Sequence, residues 1–110
     1  MLKALSWLGS SRRDVRHFPK NAQQRAGYEL YLVQSGLEPS DWKSMPSVGP
    51  GVQEIRVHTE LEHRLFYVAK FEEAIYVLHA FEKKSQKAAR HDLELAKSRL
   101  NDLLRQRRAL

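Results

Sequence analysis

The chain has 110 residues, 42% hydrophobic and 29% charged. That suits one globular domain able to bury about 65% of its unfolded surface without a metal or covalent staple. The absence of cysteine excludes thiol catalysis, zinc-thiolate sites and a disulfide scaffold, and it permits a reducing compartment. The formal charge of +6 is concentrated: residues 1–82 carry ten Lys/Arg and ten Asp/Glu, residues 83–110 nine and three. Such asymmetry points to a polyanionic partner, either nucleic acid or an acidic protein. No apolar run nears the roughly 20 residues of a membrane span. The apolar stretch within Met1–Leu8 is too short for a signal peptide, and Arg12-Arg13-Asp14 follow at once. The expectation is a cytoplasmic protein with no membrane partner.

Leu2, Ala4 and Leu8, alternating with Lys3 and Ser6, predict a short first strand with Trp7 nearby. Ser10 or Ser11 offers an N-cap hydroxyl for a two-turn helix over Arg12–Phe18, with Val15 and Phe18 on one side. Pro19 ends that helix or opens the next. From Asn21 to Ser35, the residues Ala22, Ala26, Leu30 and Val33 recur at spacings of four and three, the stripe of an amphipathic helix. Gly36 suits a left-handed cap after it. Tyr28, Tyr31 and Leu32 widen the apolar face, which predicts packing on more than one side. Leu37–Gly51 holds three of the four prolines and reads as a long irregular loop anchored by Trp42.

Three segments with strand composition follow: Val52–Thr59, His63–Phe71 and Ala74–Lys83. The links Glu60-Leu61-Glu62 and Glu72-Glu73 are short, which favours an antiparallel meander over crossovers. Period-two alternation puts Gln53, Ile55, Val57 and Thr59 on one face of the first strand, and Glu54, Arg56 and His58 on the other. It groups Arg64, Phe66, Val68 and Lys70 in the second strand, and Ile75, Val77, His79, Phe81 and Lys83 in the third. Ala88–Arg107 reads as a helix striped by Leu93, Ala96, Leu100, Leu103 and Leu104, with Arg90, Lys97, Arg99 and Arg105 pointing elsewhere. The expected fold class is α+β in a single domain: a short N-terminal strand, two helices, an antiparallel β-meander and a C-terminal helix.

The chain carries no glycine-rich phosphate loop, nucleophile elbow or HExxH. Its five histidines, at 17, 58, 63, 79 and 91, include no i, i+4 pair and no carboxylate completes a metal set, so neither metal nor cofactor is expected. What remains is a cluster of cations: Arg56 and Arg64 on strands, then Lys83, Lys84 and Lys87 where the last strand runs into the final helix. RNA cleavage without a metal needs a base for the ribose 2′-OH, cations around the phosphate as it gains charge, and an acid for the leaving oxygen. An arginine clamps phosphate bidentately, and a lysine crowded by cations has its pKa lowered into a usable range. His79 and His58 titrate near neutrality by their ordinary value of about 6.5 and are candidate proton shuttles. The candidates are Arg64, Lys83, Lys84 and His79 for catalysis, with Arg56, Lys87 and Arg90 as RNA contacts.

Over nearly the whole chain this arrangement resembles the RelE/ParE toxin superfamily. Arg64-Leu65-Phe66-Tyr67-Val68 resembles the family's Arg-x-x-Tyr strand. Leu78-His79-Ala80-Phe81-Glu82-Lys83-Lys84-Ser85-Gln86-Lys87 resembles the LHxFxKK(S/T)xK stretch of its phage-derived, HigB-like branch, as do Trp7-Leu8-Gly9-Ser10-Ser11 and Ala26-Gly27-Tyr28-Glu29 more weakly. The resemblance implies the toxin of a type II toxin–antitoxin pair, an mRNA endoribonuclease that usually acts on the ribosome. It further implies a cognate antitoxin, in this branch a helix-turn-helix protein, and contact with DNA only through the antitoxin complex. Carried over by position, the family's phosphate-binding arginine falls on Arg64, and the basic residues ending its third meander strand fall on Lys83 and Lys84. Two departures stand out. Lys87 is followed by Ala88-Ala89-Arg90 where the branch often has Thr-Pro, and no C-terminal tyrosine is present. The general base stays open among His79, Lys84 and Lys87. The same fold also carries gyrase-poisoning toxins, and a basic nucleic-acid-binding module without catalysis would share the C-terminal charge, so these stand as alternatives.

Overall fold

Short links and alternating strands produce one five-stranded sheet with helices on both faces in the computed structural model, which describes residues 2–109. In chain order the elements are β1 (Ala4–Trp7), α1 (Ser11–Arg16), α2 (Lys20–Gln34), β2 (Trp42–Ser44), β3 (Val52–His58), β4 (Glu62–Val68), β5 (Ala74–Glu82) and α3 (Arg90–Arg108). The sheet order is β1-β5-β4-β3-β2. Only β1 runs parallel to its neighbour, β5, and the other pairs are antiparallel. The expected α+β architecture is therefore the one the chain adopts.

One element was not expected. Within the predicted irregular loop, Trp42–Ser44 pairs with Gln53–Ile55 as β2. Three residues are too few to show a period, and this edge strand is defined by the partner beside it. Trp42 is half-buried there, and its indole N–H donates to Glu38 at 3.3 Å.

Two cores flank the sheet. On one face, Phe18, Ala22, Ala26, Leu30 and Val33 pack on Ile55, Leu65, Tyr67 and Val77. On the other, Ala96, Leu100 and Leu103 of α3 cover Phe66, Val68, Leu78 and Phe81, joined by Met45 and Val48. The predicted widening of the α2 apolar face fails at Tyr28 and Tyr31, which are 51% and 50% exposed, while Leu32 is half-buried. The helix meets the sheet through the stripe containing Ala22 and Ala26, Phe18 packs beside it, and Glu29, 1% exposed, accepts the Ser40 N–H at 2.7 Å. The predicted serine cap also takes another form. The Ser10 hydroxyl donates to Asp14 Oδ2 at 2.7 Å rather than accepting a backbone N–H, and Ser11 donates to the Val77 carbonyl.

A bulge decides which face the end of β5 presents. Phe66 pairs with His79, but Tyr67 pairs with Val77, so two residues of β5 oppose one of β4. Ile75 and Val77 face α1 and α2, whereas Leu78 and Phe81 face α3. The predicted single face of Ile75, Val77, His79 and Phe81 is thus split, because the extra residue resets the alternation. His79 and Phe81 come to share a face with Arg64 and Phe66.

A candidate nucleic-acid interface at the end of the meander

Arg56 and Arg64 are direct cross-strand partners on β3 and β4. Like charges side by side repel, and the sequence answers with Glu54, two residues before Arg56 and so on the same face. Arg56 Nε donates to Glu54 Oε1 at 3.1 Å, and Arg64 Nε lies 3.8 Å from the same oxygen. Arg64 is 5% exposed and Glu54 4%. A terminal N–H of Arg64 donates to Glu62 at 2.9 Å and to the His63 carbonyl at 3.0 Å, while its Nε has no hydrogen-bond partner. The guanidinium is therefore fixed by carboxylates on two sides and lines an open cleft of about 620 Å³. Glu62, Lys83, Lys84, Ser85 and Gln86 complete that cleft. The backbone N–H of Lys83 donates to the Glu62 carbonyl at 2.8 Å, which holds the first lysine at the rim. A fixed arginine fork beside two lysines suits an anion with several oxygens, such as a phosphodiester.

The model of the family described as phage derived protein Gp49-like (DUF891) matches residues 13–101. The chain belongs to this family. Gp49-like proteins lie within the RelE/ParE-like superfamily and are commonly toxins of toxin–antitoxin systems, which implies an antitoxin partner. A search of curated proteins finds no match.

In this Gp49-like chain the cleft gathers Arg64, Lys83 and Lys84, with Arg56 tied in through Glu54. Lys87 and Arg90 are exposed on the way into α3, where Arg90 donates to Glu94 at 2.8 Å. His79 lies elsewhere, 5% exposed beneath α3. Its Nε2 is 2.7 Å from Asp92 Oδ1, and its Nδ1 is 3.4 Å from a terminal nitrogen of Arg99. Arg99 can only donate, so Nδ1 accepts and Nε2 carries the hydrogen given to Asp92. Arg99 also donates to the Leu78 carbonyl at 2.9 Å and to Ser10 Oγ at 3.0 Å. It crosses the turn at Gly9, where φ is +53° and an added Cβ would stand 2.4 Å from the Arg99 Nε. Through His79 and Asp92 the first turn of α3 is tied to β5, so the connection that carries Lys83, Lys84 and Lys87 is held at both ends.

The alternation of Glu54 with Arg56 was the available sign of the first carboxylate. Glu62 stands two residues before Arg64 with the same spacing but falls in the predicted link before the strand, whereas Asp92 and Arg99 carried no comparable signal, since their partners lie on other elements. Among the described residues, no cluster of three or more His, Asp or Glu is arranged to hold a metal ion. No helix in them is long and apolar enough to cross a membrane.

His58 extends the charged network outward. It is exposed, with Nε2 2.5 Å from Asp41 and Nδ1 2.7 Å from Glu62. Hydrogen bonds to Asp41 and then Glu62 raise its pKa above 6.5, and the bond from His58 lowers that of Glu62 below 4.5. The stabilisation from His58 is complete below about pH 6.5 and is lost as pH rises through its raised folded value. That from Glu62 is complete above about pH 4.5 and is lost as pH falls through its lowered folded value. Wild type should therefore gain stability over His58→Gln between pH 9 and pH 6, by less than about 1 kcal/mol because the ring is half exposed. Buried His63, whose pKa is lowered by desolvation, favours the opposite trend but is common to both proteins. Urea midpoints for both proteins at the two pH values measure the difference, and a difference independent of pH contradicts the prediction.

Proposed function

We propose that this chain is the toxin of a type II toxin–antitoxin pair of the HigB-like branch, cleaving mRNA in the cytoplasm without a metal. Its action on the ribosome and its restraint by a helix-turn-helix antitoxin belong to the same reading. The observation that supports it is Arg64, buried and held by Glu54 and Glu62 at a cleft rimmed by Lys83 and Lys84. In that cleft Arg64 and Lys83 hold the phosphate oxygens as charge develops on them, with no reorganisation required of the arginine. The ribose 2′-oxygen attacks the adjacent phosphorus while its proton passes to a base, and the P–O5′ bond breaks as that oxygen takes a proton. Lys84 stands at the cleft for one of these transfers and exposed Lys87 is close to it in sequence, whereas His79 is engaged by Asp92 and Arg99.

The engagement of His79 favours a second reading, RNA binding without cleavage, in which the same cations act and no base is needed. Expression from a tightly controlled promoter separates the readings. Growth arrest with new mRNA 5′ ends, both absent in an Arg64→Ala/Lys83→Ala variant, is the expected result. RNA binding that weakens with salt, without new ends, selects the second reading. Arrest with intact mRNA and altered DNA supercoiling points to a gyrase inhibitor instead.

A further inference from the structure

The charge excess of residues 83–110 is larger than the cleft uses. Of the arginines on α3, two turn toward the protein: Arg99 as described, and Arg107, which pairs with Glu73 and lies 3.8 Å over the Phe71 ring. The remaining cations face solvent on a single line. Arg90, Glu94, Lys97, Asn101, Arg105 and Arg108 follow at spacings of four, three, four, four and three, and all six are exposed. They form one stripe opposite the buried Ala96, Leu100 and Leu103. From Arg90 to Arg108 the stripe runs about 27 Å. It begins where the Lys83–Ala89 connection leaves the cleft and ends by Glu73, just before β5. Glu94 within the stripe and Asp102 beside it form only exposed pairs, with Arg90 and Arg105, and such pairs contribute little.

We infer that this outer face of α3 is a second RNA-binding surface, separate from the cleft, which takes the sugar-phosphate backbone of double-stranded RNA. General single-strand surfaces combine a cationic groove with aromatic side chains on which bases stack, and α3 has no Phe, Tyr or Trp. Four cations spaced along one exposed stripe without stacking groups fit backbone charge of regular shape, which is how double-stranded RNA is recognised. An acidic protein surface would also attract cations, but the row continues from a cleft already suited to phosphodiesters.

The test is binding of a blunt 16-base-pair RNA duplex and of a four-nucleotide RNA, each at several salt concentrations, to wild type and to Lys97→Gln/Arg105→Gln/Arg108→Gln. Unchanged far-ultraviolet circular dichroism and thermal midpoint establish that the variant is folded. The expected result is duplex affinity lowered about tenfold or more and a log–log salt slope smaller by about 2 to 3, with the short strand affected less than twofold. Duplex affinity and slope equal to wild type overturn the inference, as does an equal loss for both RNAs. The Arg64→Ala/Lys83→Ala variant keeps the two readings distinct. It should retain the duplex salt slope, and if it still cleaves RNA, the assignment of cleavage to the cleft fails while the α3 surface stands.

Discussion

Arg64→Ala is expected to lower RNA cleavage by about a hundredfold or more, and separately to lower unfolding free energy by about 3 kcal/mol. The first figure is the usual cost of removing one preorganised donor from a developing anion. The second follows from burial. Arg64 is 5% exposed and Glu54 4%, so removing the guanidinium leaves a buried carboxylate with less compensation. Arg56 remains at 3.1 Å from Glu54 Oε1, which keeps the cost near the low end of what broken buried pairs show. Because one substitution changes both quantities, Lys83→Ala is the sharper test of chemistry. Lys83 is half-buried at the rim and forms no ion pair among the described residues. Its loss should reduce cleavage at least about tenfold while moving stability by less than about 0.5 kcal/mol. Cleavage of a labelled RNA, beside urea unfolding of the same proteins, gives both readings. A Lys83→Ala protein cleaving at the wild-type rate removes the lysine from the mechanism.

Leu100→Ala should cost about 3–5 kcal/mol, a large share of the 5–15 kcal/mol typical of whole domains. Leu100 is 3% exposed, at the centre of the α3 face that covers Phe66, Val68 and Leu78. It sits so close over Gly49 that a Cβ there would lie 2.3 Å from the Leu100 Cδ2, which shows how completely the side chain fills the space. Backbone on one side and the sheet on the other leave little freedom for the site to collapse, hence the upper part of the usual range. Arg105→Ala, on the exposed side of the same helix, should change stability by less than about 0.5 kcal/mol. Urea denaturation of both variants tests the contrast. Small, equal effects would mean that α3 is not packed on the sheet in solution.

Most elements could be read from local pattern. The Ala22, Ala26, Leu30 and Val33 stripe, the short connection before β5 (residues 69–73, where Glu72-Glu73 alone was expected) and the Leu93–Leu104 stripe involve residues a few positions apart, and helices and hairpins are favoured by interactions over that range. Gly36 at φ +82° ends α2 as expected, since a left-handed cap is a property of one residue. The same local logic failed for Tyr28 and Tyr31, which lie beside the stripe but beyond the reach of the sheet.

By itself the sequence determined that the chain forms a meander between helices, that it has no thiol chemistry, and that its positive charge gathers after residue 82. It also named Arg64, Lys83 and Lys84, which stand together at the cleft. Only the tertiary structure decided what surrounds them. Glu54 meets Arg64 because the register of β3 on β4 brings it there, and a bulge at Leu78 turns His79 under α3, where Asp92 and Arg99 engage it. It also decided which α3 cations turn inward and which remain for a partner. These outcomes depend on contacts between residues far apart in the chain, whose free energy exists only once the sheet and helices are packed, so no local pattern records them.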